Sequence, residues 1–185
     1  MGYFAVIDTE TNWNNEVMSI GIAVAEDRHM ELCGSRYYIL DPEYRTGGMY
    51  SDVMDLVAER DTRIGTREEA MADLTAWLRK GGVTRIFAYN ACFDRNHLPE
   101  LSGFLWYDIM RVAAYRQHNL RIPRNAPCCS TGRLKSSYGV EPMLRLLLGD
   151  RSYRETHNAL YDAVDELRIM RLMELGLNAY EYARI

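Results

Sequence analysis

The sequence lacks a hydrophobic run long enough to cross a membrane. No uninterrupted apolar stretch approaches the roughly 20 residues that a membrane-spanning helix needs. No basic segment precedes the first apolar run and acidic residues follow it, so we expect no signal peptide. Cysteine is also scarce, with four residues and no Cys-x-x-Cys spacing. This pattern argues against a disulfide scaffold or a cysteine metal site, and it favours reduced thiols in a cytoplasmic protein.

The composition is that of an ordinary globular chain. Its 185 residues are 48% hydrophobic and 26% charged, which suits a single domain over residues 1–185. The net charge of −4 is unevenly distributed, because residues 111–154 carry +7 and the rest of the chain −11. A basic surface on an acidic body suits a polyanionic substrate, although a solvated helical face would give the same count.

Hydrophobic periodicity predicts a mixed α/β fold. Three strands come first, with a turn at residues 26–29 that indicates a hairpin, and helices then alternate with strands. A capping box at Thr66 and Glu69 predicts the start of a helix. We expect a sheet of about five strands flanked by helices. The predicted strands cover residues 3–8, 17–25, 30–40, 85–89 and 105–108, and the predicted helices cover 50–59, 66–80, 92–98, 108–117, 131–138, 143–148 and 156–175.

Two acidic residues end the first predicted strand. Residues 4–11 read Phe-Ala-Val-Ile-Asp-Thr-Glu-Thr, and because side chains alternate along a strand, Asp8 and Glu10 point to the same side. Like charges this close repel one another, and more strongly where water is excluded. Protonation or a bound divalent cation would relieve the repulsion. The cation hypothesis makes this pair half of a metal site and predicts further carboxylates later in the chain.

Two later segments supply such carboxylates. Asp94 follows a strand that we expect beside the first one, and residues 157–163 read His-Asn-Ala-Leu-Tyr-Asp-Ala. His157 and Asp162 are five positions apart, about 140° around a helix, so they do not share a face. For both to serve one site, His157 must lie at or before the start of the last helix. We therefore expect an imidazole on a loop and a carboxylate on a helix to face the same site.

Four other polar residues near these elements are given structural roles. Asp108 is expected to cap a helix, and Asp165 and Glu166 are expected to lie on the surface of the last helix. Asn90 is expected to fix the loop after the fourth strand through hydrogen bonds of its side chain.

The three segments resemble, in order, the three exonuclease motifs of the DEDDh 3′–5′ exonucleases. This family includes bacterial proofreading subunits, ribonuclease T and oligoribonuclease. Its D-x-E-T corresponds to residues 8–11, its H-N-A-x-F-D to residues 89–94 and its H-N-A-L-x-D-A to residues 157–163. A sister branch carries tyrosine four residues before the last aspartate, where this chain has Asn158. The resemblance therefore favours the histidine branch, and it covers nearly the whole chain.

The resemblance implies an RNase H-like three-layer fold and a two-metal hydrolysis of phosphodiesters. Asp8, Glu10 and Asp162 would bind one Mg²⁺ or Mn²⁺ ion, and Asp8 would also bind the second ion together with Asp94. Hard cations of this kind prefer oxygen ligands. His157 would be the general base that accepts the proton of the attacking water. The implied catalytic residues are thus Asp8, Glu10, Asp94, His157 and Asp162.

The chain departs from the family pattern beside these motifs. The family often continues with Thr-Gly after D-x-E-T, where this chain has Asn12 and Trp13. Trp13 could stack on the terminal base or pack in the core. Tyr89 replaces a common histidine and Tyr161 a common acid, and neither change removes a metal ligand. The candidate substrate-binding residues are Thr9, Thr11, Trp13 and Asn90.

These observations lead to one main hypothesis and two alternatives. The main hypothesis is a metal-dependent exonuclease that removes nucleoside 5′-monophosphates from a free 3′ end of single-stranded DNA or RNA. One alternative is an accessory module that binds nucleic acid or a partner with little turnover, and the other is a phosphodiesterase for short oligonucleotides. A homodimer or an association with nucleic-acid-processing machinery is compatible with each. We expect no membrane association.

Overall fold

A mixed sheet of six strands forms the centre of the computed structural model, which describes residues 2–185. The strands are β1 (Tyr3–Thr11), β2 (Val17–Glu26), β3 (Leu32–Leu40), β4 (Thr62–Gly65), β5 (Arg85–Ala88) and β6 (Leu105–Asp108). The helices are α1 (Arg67–Lys80), α2 (Cys92–His97), α3 (Met110–Ala113), α4 (Val140–Leu148) and α5 (Ala159–Leu172). Short 3₁₀ helices cover Glu43–Thr46, Ser51–Leu56, Glu59–Asp61, Pro99–Leu101 and Leu177–Ala183.

The strands lie in the order β4-β3-β2-β1-β5-β6, so β1 is central. Strand β2 is antiparallel to β1 and β3, which confirms the predicted hairpin, and the remaining neighbours are parallel. The predicted sheet of about five strands lacked β4. This strand is only four residues long and has no buried residue, so no hydrophobic pattern indicates it.

Helices cover both faces of the sheet, as the predicted three-layer arrangement requires. Phe4 and Val6 on one face of β1 pack in a cluster that includes residues of α4 and α5. Ala5 and Ile7 on the other face pack against α1. Because Asp8 and Glu10 continue the series of Phe4 and Val6, they lie on the α5 side. The alternation of β1 thus directs both acids toward the last helix.

Two helix predictions after β6 are wrong. Residues 131–138 do not form a helix, because Gly132 has φ +90 and Cys129 donates its N–H to the Arg133 carbonyl at 2.7 Å. Isolated β-bridges join this segment to neighbouring residues instead. Helix α3 ends at Ala113, four residues earlier than predicted, where the Asn119 side chain donates to the Ala113 carbonyl at 2.7 Å.

Several residues of the basic segment are bound within the fold. Arg145 pairs with Glu141, Arg121 donates to the Leu147 carbonyl and Arg116 donates to the Ala126 carbonyl. The surface charge of residues 111–154 is therefore less available than the sequence count suggests, and a phosphate-binding role for it stays a prediction. The four cysteines are free. Within residues 2–185, no helix has the length and apolar character needed to cross a bilayer.

The first turn of α5 lies directly on β2, at Gly21. A Cβ atom on Gly21 would be 2.0 Å from the backbone oxygen of Ala159 and 2.1 Å from its carbonyl carbon. Gly21 is also the β-sheet partner of Asp8. The glycine therefore sets how closely the start of α5 approaches the acidic end of β1.

Replacing this glycine should destabilise the protein. We expect Gly21→Ala to lower the free energy of unfolding by about 1–3 kcal/mol or more, because backbone atoms cannot yield as a flexible side chain does. Urea unfolding would measure the loss. Gly103→Ala is the matched control, since a Cβ there would meet no atom within 4 Å. Equal destabilisation of the two variants would contradict the close approach of α5 to β2.

Candidate active site

The acidic end of β1 carries the first two site residues. Asp8 is paired with Gly21 and Glu10 with Ser19 of β2, and the register shifts directly after Glu10. Both side chains are half-buried, and the Oδ2 atom of Asp8 is fully buried. Strand β1 thus delivers two carboxylates to one place beneath the start of α5, as the sequence predicts.

The start of α5 brings the third carboxylate and the histidine. Asn158 caps the helix by accepting the N–H groups of Leu160 and Tyr161 at 3.1 and 3.5 Å. Asp162 follows in the first turn and is 3% exposed. His157 precedes the cap with φ +57, outside the helix. The predicted arrangement of a loop-borne imidazole and a helix-borne carboxylate is confirmed.

Three side chains converge on one point, those of Glu10, His157 and Asp162. Each offers one possible ligand atom, and these atoms all lie within 4.8 Å of one another. The three residues come from β1, from the loop before α5 and from α5 itself. This convergence is the central geometric fact of the site.

Asp94 approaches the same end of β1 from α2. It is 2% exposed, and its Oδ1 accepts a hydrogen bond of 2.7 Å from the hydroxyl of Thr9. Thr9, a candidate substrate-binding residue, is itself buried and uses its hydroxyl to hold this carboxylate. Burial raises the pKa of Asp94 to about 7, partly offset by the hydrogen bond from Thr9.

The remaining acids of the site are also difficult to ionise. Burial, followed by the charges of Asp162 and Glu155, raises the pKa of Glu10 to about 8. Burial and the charge of Glu155 likewise raise the pKa of Asp162 to about 8. The pKa of Asp8 lies well above its usual range, because it is buried next to Glu166 and Asp94. Without a cation, the fully ionised cluster is therefore strongly destabilised.

Glu166 and Glu155 are site residues that the sequence reasoning missed. The prediction that Glu166 lies on the surface of α5 is wrong: it is 2% exposed, and its Oε2 accepts the N–H of Tyr89 at 3.0 Å. Four positions separate it from Asp162, so helical periodicity puts both on one face. Glu155 precedes the helix and raises the pKa of Glu10 and Asp162. No motif marks it.

Asp165 and Asp108 have defined partners. Asp165 is half-buried rather than on the open surface of α5, and it accepts a hydrogen bond from the Tyr153 hydroxyl. The predicted capping role of Asp108 is wrong by one residue, because the N-cap of α3 is Ile109, which makes no side-chain cap. The Oδ1 atom of Asp108 nevertheless accepts the N–H of Met110, the first residue of α3, at 2.9 Å. The same atom accepts the backbone N–H of Asn90 at 3.1 Å.

The loop at Asn90 is therefore held through its backbone. Asn90 has φ +61 and an exposed side chain, and the predicted side-chain hydrogen bonds do not occur within residues 2–185. Its exposure next to α2 leaves it free to contact a ligand. A substrate-binding role stays a prediction.

Trp13 lies on the surface beside the acidic end of β1. It is 68% exposed, which excludes the alternative that it packs in the core. Asn12 builds the turn that presents it, accepting the N–H groups of Asn14 and Glu16 and donating to the Glu43 carbonyl. Thr11, the other candidate here, is half-buried at the end of β1. A large aromatic ring is thus held in solvent near the carboxylates.

The donor set fits divalent metal ions. The Oδ2 atom of Asp8 and the Oδ1 atom of Asp162 are buried, and neither has a hydrogen-bond partner between residues 2 and 185. Unpaired buried carboxylate oxygens are costly, and hard cations such as Mg²⁺ and Mn²⁺ satisfy them. The carboxylates of Asp8, Glu10, Asp94 and Asp162 could hold such ions.

Solved structures share this fold, whereas no protein-family model and no curated protein matches the sequence. The nuclease domain of 3′hExo, a DEDDh family member bound to rAMP, is 16% identical, with 93% of this chain and 91% of that chain covered and a TM-score of 0.64. Exonuclease X in complex with 5′-overhanging duplex DNA is 19% identical, with 92% of this chain and 91% of that chain covered and a TM-score of 0.53. The zinc-bound E. coli ExoI–ssDNA complex is 13% identical, with 94% of this chain but 40% of that chain covered and a TM-score of 0.61. At these identities the likeness establishes the RNase H-like α/β fold that DEDDh-family 3′-exonucleases adopt.

The raised pKa values predict a pH-dependent stability that metal should modify. The pKa of Asp162 is about 8 in the folded protein, whereas an ordinary aspartate has a pKa near 4. An acid with a raised pKa in the folded state makes the protein less stable as pH rises between these two values. In EDTA, the melting temperature of Asp162→Asn minus that of the unchanged protein should therefore increase as pH rises from about 5 to 8. A constant difference would contradict the pKa shift.

Adding Mn²⁺ to the unchanged protein at pH 8 should raise its melting temperature. An excess of about 100 times the dissociation constant stabilises by about 2.7 kcal/mol, which corresponds to roughly 5–10 °C for a chain of this size. Asp162→Asn should show a smaller rise, since it lacks one ligand oxygen. If Mn²⁺ leaves the unchanged protein unaffected, the cluster is not a metal site.

Proposed function

We propose that this protein is a metal-dependent 3′–5′ exonuclease of the DEDDh type. It would hydrolyse the terminal phosphodiester bond of single-stranded DNA or RNA and release nucleoside 5′-monophosphates. The observation that carries the proposal is the convergence of Glu10, His157 and Asp162 within 4.8 Å, on a fold shared with 3′-exonucleases. Asp8 and Asp94 complete the set of residues that the family motifs name.

The carboxylates have the role of ligands in this proposal. Asp8, Glu10, Asp94 and Asp162 hold two Mg²⁺ or Mn²⁺ ions, and bound ions of this kind stabilise the charge on the attacking and leaving oxygens. Thr9 orients Asp94 through its 2.7 Å hydrogen bond. Glu166 is buried, and beyond the effect of burial its charge raises the pKa of Asp8, while the charge of Asp94 raises the pKa of both. Bound cations would relieve this repulsion.

His157 is the general base in this proposal. It lies outside the helix and offers a ring nitrogen within 4.8 Å of the Glu10 and Asp162 carboxylates, where it can accept the proton of the attacking water. The histidine thus needs no covalent contact with the substrate.

The proposed substrate contacts are exposed side chains. Trp13 is exposed and offers a face on which the terminal base can stack, an interaction worth roughly 1–3 kcal/mol for each base. Exposed residues of the basic segment 111–154, such as Arg124 and Lys135, would contact phosphates. Discrimination between DNA and RNA would depend on contacts to the 2′-hydroxyl.

A degradation assay tests the proposal directly. The purified protein is incubated with Mg²⁺ or Mn²⁺ and with 5′-labelled oligonucleotides of matched sequence as single-stranded DNA, single-stranded RNA and duplex. We expect stepwise shortening of a single-stranded substrate with a free 3′ end, and none when that end is chemically blocked or EDTA is added. Shortening from the 5′ end would contradict the proposal. Binding without shortening would support an accessory module instead.

A further inference from the structure

The ring of His157 is stacked on a tyrosine from a distant part of the chain. The ring centroids of Tyr50 and His157 are 4.3 Å apart and the ring planes differ by 15°. Tyr50 lies between β3 and β4, more than a hundred residues before the histidine. The tyrosine covers one face of the imidazole, while a ring nitrogen reaches within 4.8 Å of the Glu10 and Asp162 carboxylates.

The loop that carries Tyr50 is packed tightly on the end of β1. A Cβ atom on Gly48 would lie 2.5 Å from the Thr11 carbonyl oxygen, so a side chain has no room there. The Gly47 carbonyl accepts the N–H of Trp13 at 3.0 Å, and the Ser51 hydroxyl accepts the N–H of Gly48 at 2.6 Å. The loop therefore has a fixed position relative to Glu10.

The same region is also tied to the start of α5. The Asn158 side chain donates to the Val53 carbonyl at 2.9 Å and to the Tyr37 hydroxyl at 3.3 Å. His157 precedes this anchored cap by one residue and has φ +57, a backbone conformation that few non-glycine residues adopt. Two anchored segments thus meet at the stacked pair of Tyr50 and His157.

We propose that Tyr50 is a positioning residue for His157, which it holds with a ring nitrogen directed at the carboxylate cluster. This inference rests on the proposed exonuclease function. A histidine side chain on a loop would otherwise populate several rotamers, and only one of them faces the attacking water. By covering one face of the ring, Tyr50 raises the fraction of molecules in which the base is correctly placed.

The kinetic consequence is specific. Because Tyr50 contacts the histidine, its loss should lower kcat and leave KM nearly unchanged. A stacked aromatic pair shifts the equilibrium between side-chain rotamers by about threefold to tenfold, so Tyr50→Leu should lower kcat by about that factor. Tyr50→Phe keeps the ring and should retain the kcat of the unchanged protein. Met49→Leu is the matched control, because Met49 is the adjacent residue and is 68% exposed.

A second measurement reports the stack without any turnover. Tyrosine ring currents shift the signals of a stacked imidazole upfield, and ¹H–¹³C spectra of histidine-labelled protein resolve four residues. The His157 signals should move downfield in Tyr50→Leu but stay in place in Tyr50→Phe. His118 is an internal standard, since it stacks on Tyr182 at 4.2 Å and 20° and should not respond. Unchanged His118 signals also show that Tyr50→Leu is folded.

The outcomes separate the two proposals. The positioning role would be overturned if the His157 signals did not move in Tyr50→Leu. It would also be overturned if the signals moved but kcat stayed the same. If Tyr50→Phe behaves like Tyr50→Leu, the hydroxyl rather than the stack matters, and the inference is again wrong. If the unchanged protein degrades no oligonucleotide although the stack is present, the exonuclease proposal itself fails, and the positioning role of Tyr50 in that reaction fails with it.

Discussion

Asp8→Asn should lower the rate of 3′-end hydrolysis by about a thousandfold or more, because it removes a ligand on which the family resemblance places both ions. Metal ions contribute several kcal/mol to the stabilisation of charge in the transition state, and each 1.36 kcal/mol is tenfold in rate. The measurement is single-turnover degradation of a 5′-labelled oligonucleotide with Mg²⁺ and with Mn²⁺. Asp61→Asn, at an exposed acid next to β4, is the matched control.

The same substitution should make the metal-free protein more stable. The Oδ2 atom of Asp8 is buried without a hydrogen-bond partner among residues 2–185, and neighbouring acids raise its pKa well above the usual range. A neutral amide of the same size removes this repulsion at pH 8. The melting temperature in EDTA should therefore rise, by about 2–4 °C for each kcal/mol recovered.

Opposite effects on activity and stability would identify Asp8 as a functional rather than a structural acid. Activity that survives the substitution would refute the proposed metal site. If activity and metal-free stability both fell, Asp8 would instead be needed for the fold, and the loss of hydrolysis would carry no information about mechanism.

His157→Gln should lower kcat by about 100-fold to 10,000-fold, the range in which general-base catalysis contributes. Glutamine has a similar length but does not accept a proton near neutral pH. The four carboxylates of the family motifs are unchanged in this variant, so the rise in melting temperature that Mn²⁺ causes should persist. Kinetic and thermal measurements on the same sample would test both statements.

The control for this variant is His29→Gln, which alters an exposed histidine in the turn between β2 and β3. A collapse of the Mn²⁺ effect in His157→Gln would show that the histidine is a metal ligand, which its position within 4.8 Å of Glu10 and Asp162 permits geometrically. A kcat equal to that of the unchanged protein would reject the base assignment.

The parts of the fold that sequence reasoning predicted are those with a repeating pattern or a local signal. Alternating side chains in β1 put Asp8 and Glu10 on one side, and the five-residue spacing put His157 before α5. The capping box at Thr66 and Glu69 forms as predicted at the start of α1. Each of these features depends on residues close together in sequence.

The errors occur where distant contacts decide the structure. Strand β4 pairs in parallel with β3 and has no buried residue, so its own sequence carries no strand pattern. Residues 131–138 contain helix-compatible residues, but Gly132 adopts φ +90 and the segment pairs through isolated bridges. Local propensity is overridden there by tertiary contacts.

The sequence indicated which side chains lie together better than it indicated how deeply they are buried. Glu166 shares a helix face with Asp162, so the periodicity of α5 could have placed it near the cluster. The sequence does not show how far the sheet and α2 bury that face, which is why the prediction of a surface position for Glu166 is wrong. Glu155 and Tyr50 reach the site through loops, and no local pattern reports their contacts.

Helix α5 packs against β1 and β2, so the carboxylate cluster is complete only after α5 has been synthesised. During synthesis, Asp8 and Glu10 emerge before His157 and Asp162, which follow them by about 150 residues. Contacts so distant in sequence form late in folding. A ribosome-bound chain that has not yet exposed α5 lacks both His157 and Asp162. Under the proposed exonuclease function, hydrolysis could therefore begin only after α5 has docked on β1 and β2.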